Sequence, residues 1–143
     1  MKLLTPLLLT FSTLFFVANA NAEWTKLALF SNNETEIYVD VKKERFEGRK
    51  VYLWTLLNHI NGHTNNGFRS AVLYQELDCS ARRYRNLSKK LYRANMGEGK
   101  PEIDDSETSK WSYPRPDEMN LGAGLTTLFC NVSDRFLKEG HIK

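Results

Sequence analysis

The chain has 143 residues, with 20 lysines and arginines against 17 aspartates and glutamates, a formal net charge of +3. A balance that near neutral argues against a partner chosen by bulk charge, nucleic acid above all. Two cysteines and three histidines leave little material for a metal or thiol centre.

The first residues read as an address rather than as structure. Met1-Lys2 is a short positive start, Leu3 to Val17 is almost wholly apolar, and Ala18-Asn19-Ala20-Asn21-Ala22 offers small residues at the −3 and −1 positions. This is the three-part pattern of a secretory signal peptide, with cleavage predicted after Ala22. Spanning a bilayer takes roughly 20 apolar residues, more than this run supplies. No cysteine stands at the cleavage point for lipid attachment, and no later segment is apolar enough to span. The expectation is an exported chain, periplasmic or at the cell surface, with residues 23–143 forming one domain.

In an exported chain, two cysteines are most simply read as one disulfide, Cys79–Cys130. Neither has a CxxC partner or a nearby histidine. Closing a loop of about 50 residues stabilises by roughly 4 kcal/mol in the chain-entropy account.

Trp24 to Phe30 alternates as a strand, and Ser31-Asn32-Asn33-Glu34 is turn chemistry. In Glu36 to Val41, residues Ile37, Val39 and Val41 share one face of a second strand. Lys42 to Arg49, with Gly48, reads as a turn. Lys50 to Asn58 is apolar on both faces, Val51, Leu53 and Leu57 against Tyr52, Trp54 and Leu56, which predicts a central strand covered on both sides. His59 to Gly67 is an Asn- and Gly-rich loop, and Ser70 to Cys79 is the next strand. From there the pattern is two-valued. Tyr84, Leu87 and Leu91 stand at helical spacing, yet the same residues also fit a polar strand, and pattern alone narrowly favours helix. Glu98 to Lys110 reads as a flexible acidic linker, and Trp111-Ser112-Tyr113 as a short strand. Asp117 is a good N-cap. Beyond it, Leu121, Leu125, Leu128, Val132 and Phe136 make a helical stripe. That stripe leaves Cys130 on the opposite side, so the helix is expected from Asp117 to Phe129, either breaking near Cys130 or distorting there. Gly122 and Gly124 weaken its first turns, and Gly140 offers a stop. Five or six strands and a C-terminal helix make an α+β domain with an antiparallel sheet.

An early Trp, the strand Tyr38-Val39-Asp40, the strand Val51 to Trp54, Glu76-Leu77-Asp78-Cys79 followed by Arg82 to Arg85, then Trp111, Pro114 and Cys130 occur in an order that resembles the surface-adhesin protein E-like domain of exported bacterial proteins. The resemblance covers about Trp24 to Cys130, and its most specific part is Asp78-Cys79 with the Arg-Arg-Tyr-Arg beyond. It implies an antiparallel sheet packed with a C-terminal helix, and a strand after Cys79. It also implies non-catalytic binding of host extracellular-matrix or serum proteins. The alternative is a periplasmic accessory protein that binds an acidic envelope component.

The basic run is the first candidate contact: Arg82, Arg83, Arg85, Lys89 and Arg93. On a regular strand, Arg83, Arg85, Lys89 and Arg93 share a parity and line one face, a positive strip for an acidic surface. The bland reading, a solvated face with its bases paired to acids, carries more weight. His59 and His63 stand four apart on a loop where that spacing aligns nothing, so no metal is expected. Glu76 and Asp78 read as partners for the arginines rather than as catalytic acids. No nucleophile motif appears, and neither an enzyme nor a cofactor is expected.

Overall fold

The computed structural model describes residues 22–30, 34–115 and 120–142. The predicted signal peptide apart from Ala22, the turn residues Ser31, Asn32 and Asn33, and the predicted cap Asp117 lie outside them. The described strands are β1 (Trp24–Phe30), β2 (Thr35–Asp40), β3 (Arg45–Glu47), β4 (Lys50–His59), β5 (Ser70–Asp78), β6 (Arg83–Tyr92) and β7 (Ile103–Asp105). Helix α1 (Leu121–Lys138) follows. The strands make one antiparallel sheet in the order β1-β2-β4-β5-β6-β7, with β3 on β4. This is the α+β architecture that the sequence predicts.

Strand β4 is the hub. Strand β5 pairs with it from Lys50 to Asn58, while β3 and β2 share its other flank in succession. Its two apolar faces are both used, as alternation in a central strand requires. On one face Val39, Val51, Leu53 and Leu77 pack with Leu125, Phe129 and the two cysteines. On the other, Leu56, Val72 and Tyr92 pack with Trp24, Tyr38, Trp54 and Met96. Helix α1 covers the first face; a single 3-10 turn, Asn95–Gly97, sits over one end of the second. Leu125 and Phe129, once buried, each contribute about 1.5–3 kcal/mol of hydrophobic stabilisation.

The helix differs from its prediction in phase and length. It runs unbroken through Cys130 to Lys138, and its buried residues are Gly122, Leu125, Thr126, Phe129, Cys130 and Ser133. Small and polar residues, Gly122, Thr126, Cys130 and Ser133, share the inward face with Leu125 and Phe129. Leu128, placed on the predicted stripe, is 47% exposed. Cys130 therefore points at the sheet without distortion and bonds Cys79 across a Cα–Cα distance of 5.3 Å. The Asn120 side chain accepts a hydrogen bond from the Ala123 amide at 2.8 Å, capping the first turn. Gly140, at φ +73°, follows the last turn as a left-handed stop.

Three further corrections concern the sheet. The predicted turn at Lys42–Arg49 contains β3, and the predicted linker Glu98–Lys110 contains β7. Both strands are three residues long, too short for alternation to show. The strand predicted at Trp111–Tyr113 is reduced to one bridge, Ser112 with Tyr84. Strand β6 is a strand, as the resemblance implies and as pattern alone did not favour. It carries a bulge: Tyr74 pairs Ser88 but Gln75 pairs Asn86, which leaves Leu87 unpaired.

Candidate binding face

The bulge decides where the basic run goes. Facing residues in a ladder point the same way, so Arg83 and Arg85 share the face of their partners Asp78 and Glu76, away from α1. Beyond Leu87 the parity reverses. Lys89 pairs Leu73 and lies on the helix side, while Lys90, opposite Val72, takes the place on the open face. Arg82 is exposed in the turn before β6, at φ +47°. Arg93 lies past the strand's end, over the Phe68 ring and paired with Glu102 at 2.7 Å. The predicted single strip of Arg83, Arg85, Lys89 and Arg93 is thus divided: two members on the open face, one on the helix side, one at the margin.

What the open face holds is a lattice of cations and aromatic rings pinned by two buried acids. The Glu76 side chain is 2% exposed, and it accepts from Arg85 (2.6 and 2.7 Å) and from Lys50 (3.1 Å). The Asp78 carboxylate takes Arg83 at 2.9 and 3.0 Å and the Ala81 amide at 3.1 Å. Burial pushes both carboxyls up, and the hydrogen bonds they accept outweigh it, so both stand below their ordinary values. The Lys50 ammonium is raised in turn, chiefly by its hydrogen bond to Glu76.

Pinned by Glu76 and Asp78, the guanidinium carbons of Arg83 and Arg85 each stand 4.2 Å from the centre of the Trp111 ring. Arg45, from β3, lies 4.0 Å over the Tyr52 ring and also pairs with Glu47. Tyr52 neighbours Tyr74 at 6.4 Å, and Tyr74 stacks on Trp54 at 4.7 Å. These are cation–π and stacking distances. The rings and the two inner guanidiniums are half-buried. Further along, Glu36 accepts from Lys26 (2.6 Å), Tyr38 (2.7 Å) and Asn58 (3.2 Å). Those bonds, Lys26 first, hold its pKa down to about 2, and its bond to Tyr38 lifts that phenol to about 12.

Sequence reasoning missed Arg45 and Trp111. Arg45 fell in a predicted turn. Trp111 lies far along the chain from the arginines it serves, and it is brought to them by the Tyr84–Ser112 bridge with the bonds of Ser109 to Asn86 and of Arg83 to Tyr113. The histidines stay apart. His59 closes β4 with its ring nitrogen 2.9 Å from the Thr35 hydroxyl, and His63 is in the exposed loop. No cluster of three metal-ligating side chains occurs among the described residues.

A family model described as surface-adhesin protein E matches residues 24–131. Among solved structures, the fold is similar to protein E from non-typeable Haemophilus influenzae, with a TM-score of 0.55 at 15% identity, over 77% of this chain and 78% of that one. It is also similar to crystal form II of Haemophilus influenzae protein E, with a TM-score of 0.54 at 15% identity, over 77% of this chain and 98% of that one. Likeness at that identity is one of fold. No curated protein matches the chain.

Proposed function

Because this chain belongs to the surface-adhesin protein E family, we propose that it is an exported, non-catalytic protein that binds host extracellular-matrix or serum proteins through the open face of its sheet. The observation that carries the proposal is the lattice of Arg45, Arg83 and Arg85 on Tyr52 and Trp111, fixed from below by Glu76 and Asp78. Arginine, tyrosine and tryptophan dominate the few residues that carry most of a protein interface's energy. Here they are ordered before any partner arrives, which lowers the entropic cost of binding. The surface reading fits the family description better than a periplasmic accessory role does.

Export rests on the signal-peptide pattern of residues 1–22. No described helix is long and apolar enough to cross a membrane. The domain then spans residues 23–143, beyond the matched 24–131. Of the candidate contacts, Arg83 and Arg85 belong to the lattice. Arg82 lies beside it in the turn before β6, Arg93 lies past the opposite end of β6, and Lys89 lies on the other side of the sheet.

The test uses variants that leave the buried acids paired. Replacing Arg83 or Arg85 breaks a buried pair and leaves Asp78 with backbone amides or Glu76 with Lys50, at a cost of up to about 3–5 kcal/mol, and so confounds binding with stability. Arg45→Ala with Trp111→Ala removes an exposed cation and the shared ring while keeping both salt bridges. Binding to immobilised matrix and serum glycoproteins is expected to fall at least about tenfold, as for loss of central interface residues. It is also expected to weaken as salt rises. Lys89→Ser is expected to bind like the wild type. Equal loss in the Lys89 variant, or none in the double variant, overturns the assignment of this face.

A further inference from the structure

Both cysteines are bonded, so the oxidisable sulfur left in the chain is that of its three methionines. Met1 belongs to the predicted signal peptide, and Met119 lies outside the described residues. Met96 is the middle residue of the turn Asn95–Gly97 and is held at φ +57°. Non-glycine residues seldom adopt that left-handed conformation, and it persists only where the surroundings enforce it.

Two buried side chains of the sheet enforce it. Asn58 Oδ1 accepts from the Met96 amide (2.8 Å) and from Asn95 Nδ2 (3.0 Å). Ser70 Oγ donates to the Ala94 carbonyl (2.6 Å) and accepts from the Gly97 amide (2.9 Å). Gly97, at φ +68°, packs so close that an added Cβ would lie 3.1 Å from Val72. The backbone on both sides of Met96 is thus fixed, and so is the place from which its side chain starts.

That side chain lies at a boundary. It packs on the buried cluster of Leu56, Val72 and Tyr92, as Trp24 and Trp54 do. Half-buried, it also lines a cavity of about 680 Å³ on the open face, with ample room for molecules the size of water. Ala22 is another part of that wall, and its predicted removal with the signal peptide widens the way in. The charged groups there are Asp40 with its partner Lys43, Lys90 with its partner Asp104, and Glu98. None of them bars a small neutral oxidant.

We propose that Met96 is a site of oxidation, and that its sulfoxide loosens the Asn95–Gly97 turn from the sheet. A peroxide reaches the thioether through the cavity. The sulfur lone pair attacks one peroxide oxygen and the O–O bond breaks. The departing oxygen takes the proton of the transferred one and leaves as water, so sulfur gives up two electrons and the peroxide accepts them. The product is a polar, chiral sulfoxide where a flexible apolar group packed. Its oxygen needs hydrogen-bond donors, which the carbons of Leu56 and Val72 cannot offer. Turning it toward cavity water takes the side chain off the cluster while Asn58 and Ser70 hold the backbone still. Either way the turn loses packing that offsets its strain.

The experiment is mild treatment of the whole protein with hydrogen peroxide, read by peptide mass mapping and by NMR amide exchange. Met96 is expected to take up one oxygen atom at a rate within about tenfold of free methionine, as its access to solvent implies. Once it has, the Met96 and Gly97 amides are expected to exchange about tenfold faster or more, the lower end of the effect of setting a polar group in apolar surroundings. Met96→Leu keeps the apolar bulk without the sulfur, and its turn is expected to be unmoved by the same treatment. Met119→Leu is expected to respond like the wild type. Met96 left as a thioether after free methionine in the same solution has been oxidised overturns the proposal. So do turn amides that exchange equally fast before and after Met96 is oxidised, or a Met119→Leu protein whose turn no longer responds. The comparison before and after oxidation uses the wild type alone, so it decides the matter even if the Met96 variant fails to fold.

Discussion

Two glycines two residues apart on α1, Gly122 and Gly124, are predicted to respond oppositely to the same added methyl group. Intrinsic propensity treats them alike: alanine for glycine within a helix gains up to about 1 kcal/mol. The surroundings do not. A Cβ at Gly124 meets nothing within 4 Å, whereas one at Gly122 would lie under 3.0 Å from three carbons of the Tyr84 ring. That ring is half-buried and packed against the core cluster under α1, on a backbone held by pairing with Leu77 and Ser112. Forcing an extra carbon into a packed site costs about 1–3 kcal/mol. At position 122 the steric cost therefore exceeds the helical gain, and Gly122→Ala is expected to destabilise by about 1–2 kcal/mol. Gly124→Ala is expected to stabilise by up to about 1 kcal/mol. Urea unfolding followed by circular dichroism measures both. If the two variants move the midpoint the same way, the close packing of α1 on β6 is wrong as described.

The disulfide and the ion pairs of the fold give two other predictions. The Cys79–Cys130 bridge closes a 51-residue separation, so reducing it is expected to lower stability by about 4 kcal/mol, less any structure kept by the unfolded chain. An unchanged unfolding midpoint with both thiols shown to be free would remove the bridge's stabilising role. The acid response draws on Glu36, Glu76, Asp78 and Glu102, whose carboxyls are all lowered on folding. Groups lowered in this way contribute stability that is whole above their unfolded values and is lost as pH falls through the folded ones. Stability is thus expected to hold above the usual 4.5 of a glutamate and to decline toward about 2, the folded value of Glu36. A flat profile of unfolding midpoint across that window would contradict the ion pairing on the open face.

Much of the sheet was legible because β2 and the first half of β4 alternate in burial and β5 is buried along most of its length, while β1 reads as a strand even though its register shifts at Leu27. Strand β6 was not, for a definite reason. Its bulge absorbs Leu87, so Tyr84 and Leu91 both face the helix side although an odd number of steps separates them. On paper that spacing imitates a helix. The same bulge sends Lys89 to the wrong side of any strip drawn from regular parity. The helix was read from its large residues, but close approach to the sheet selects small ones, Gly122, Cys130 and Ser133, on the inward face. Ser133 reaches the Gly48 carbonyl at 3.2 Å, which a bulkier residue there would prevent. The acids Glu76 and Asp78 were correctly read as partners of the arginines. The ring those arginines rest on was not, because Trp111 comes from a segment joined to the basic run only by tertiary structure.

The central claim is that this fold works at the cell surface, and protease treatment of intact cells tests it most directly. The account predicts that the protein is cut from outside while a periplasmic marker in the same cells stays whole. Protection of the protein until the outer membrane is opened would contradict it.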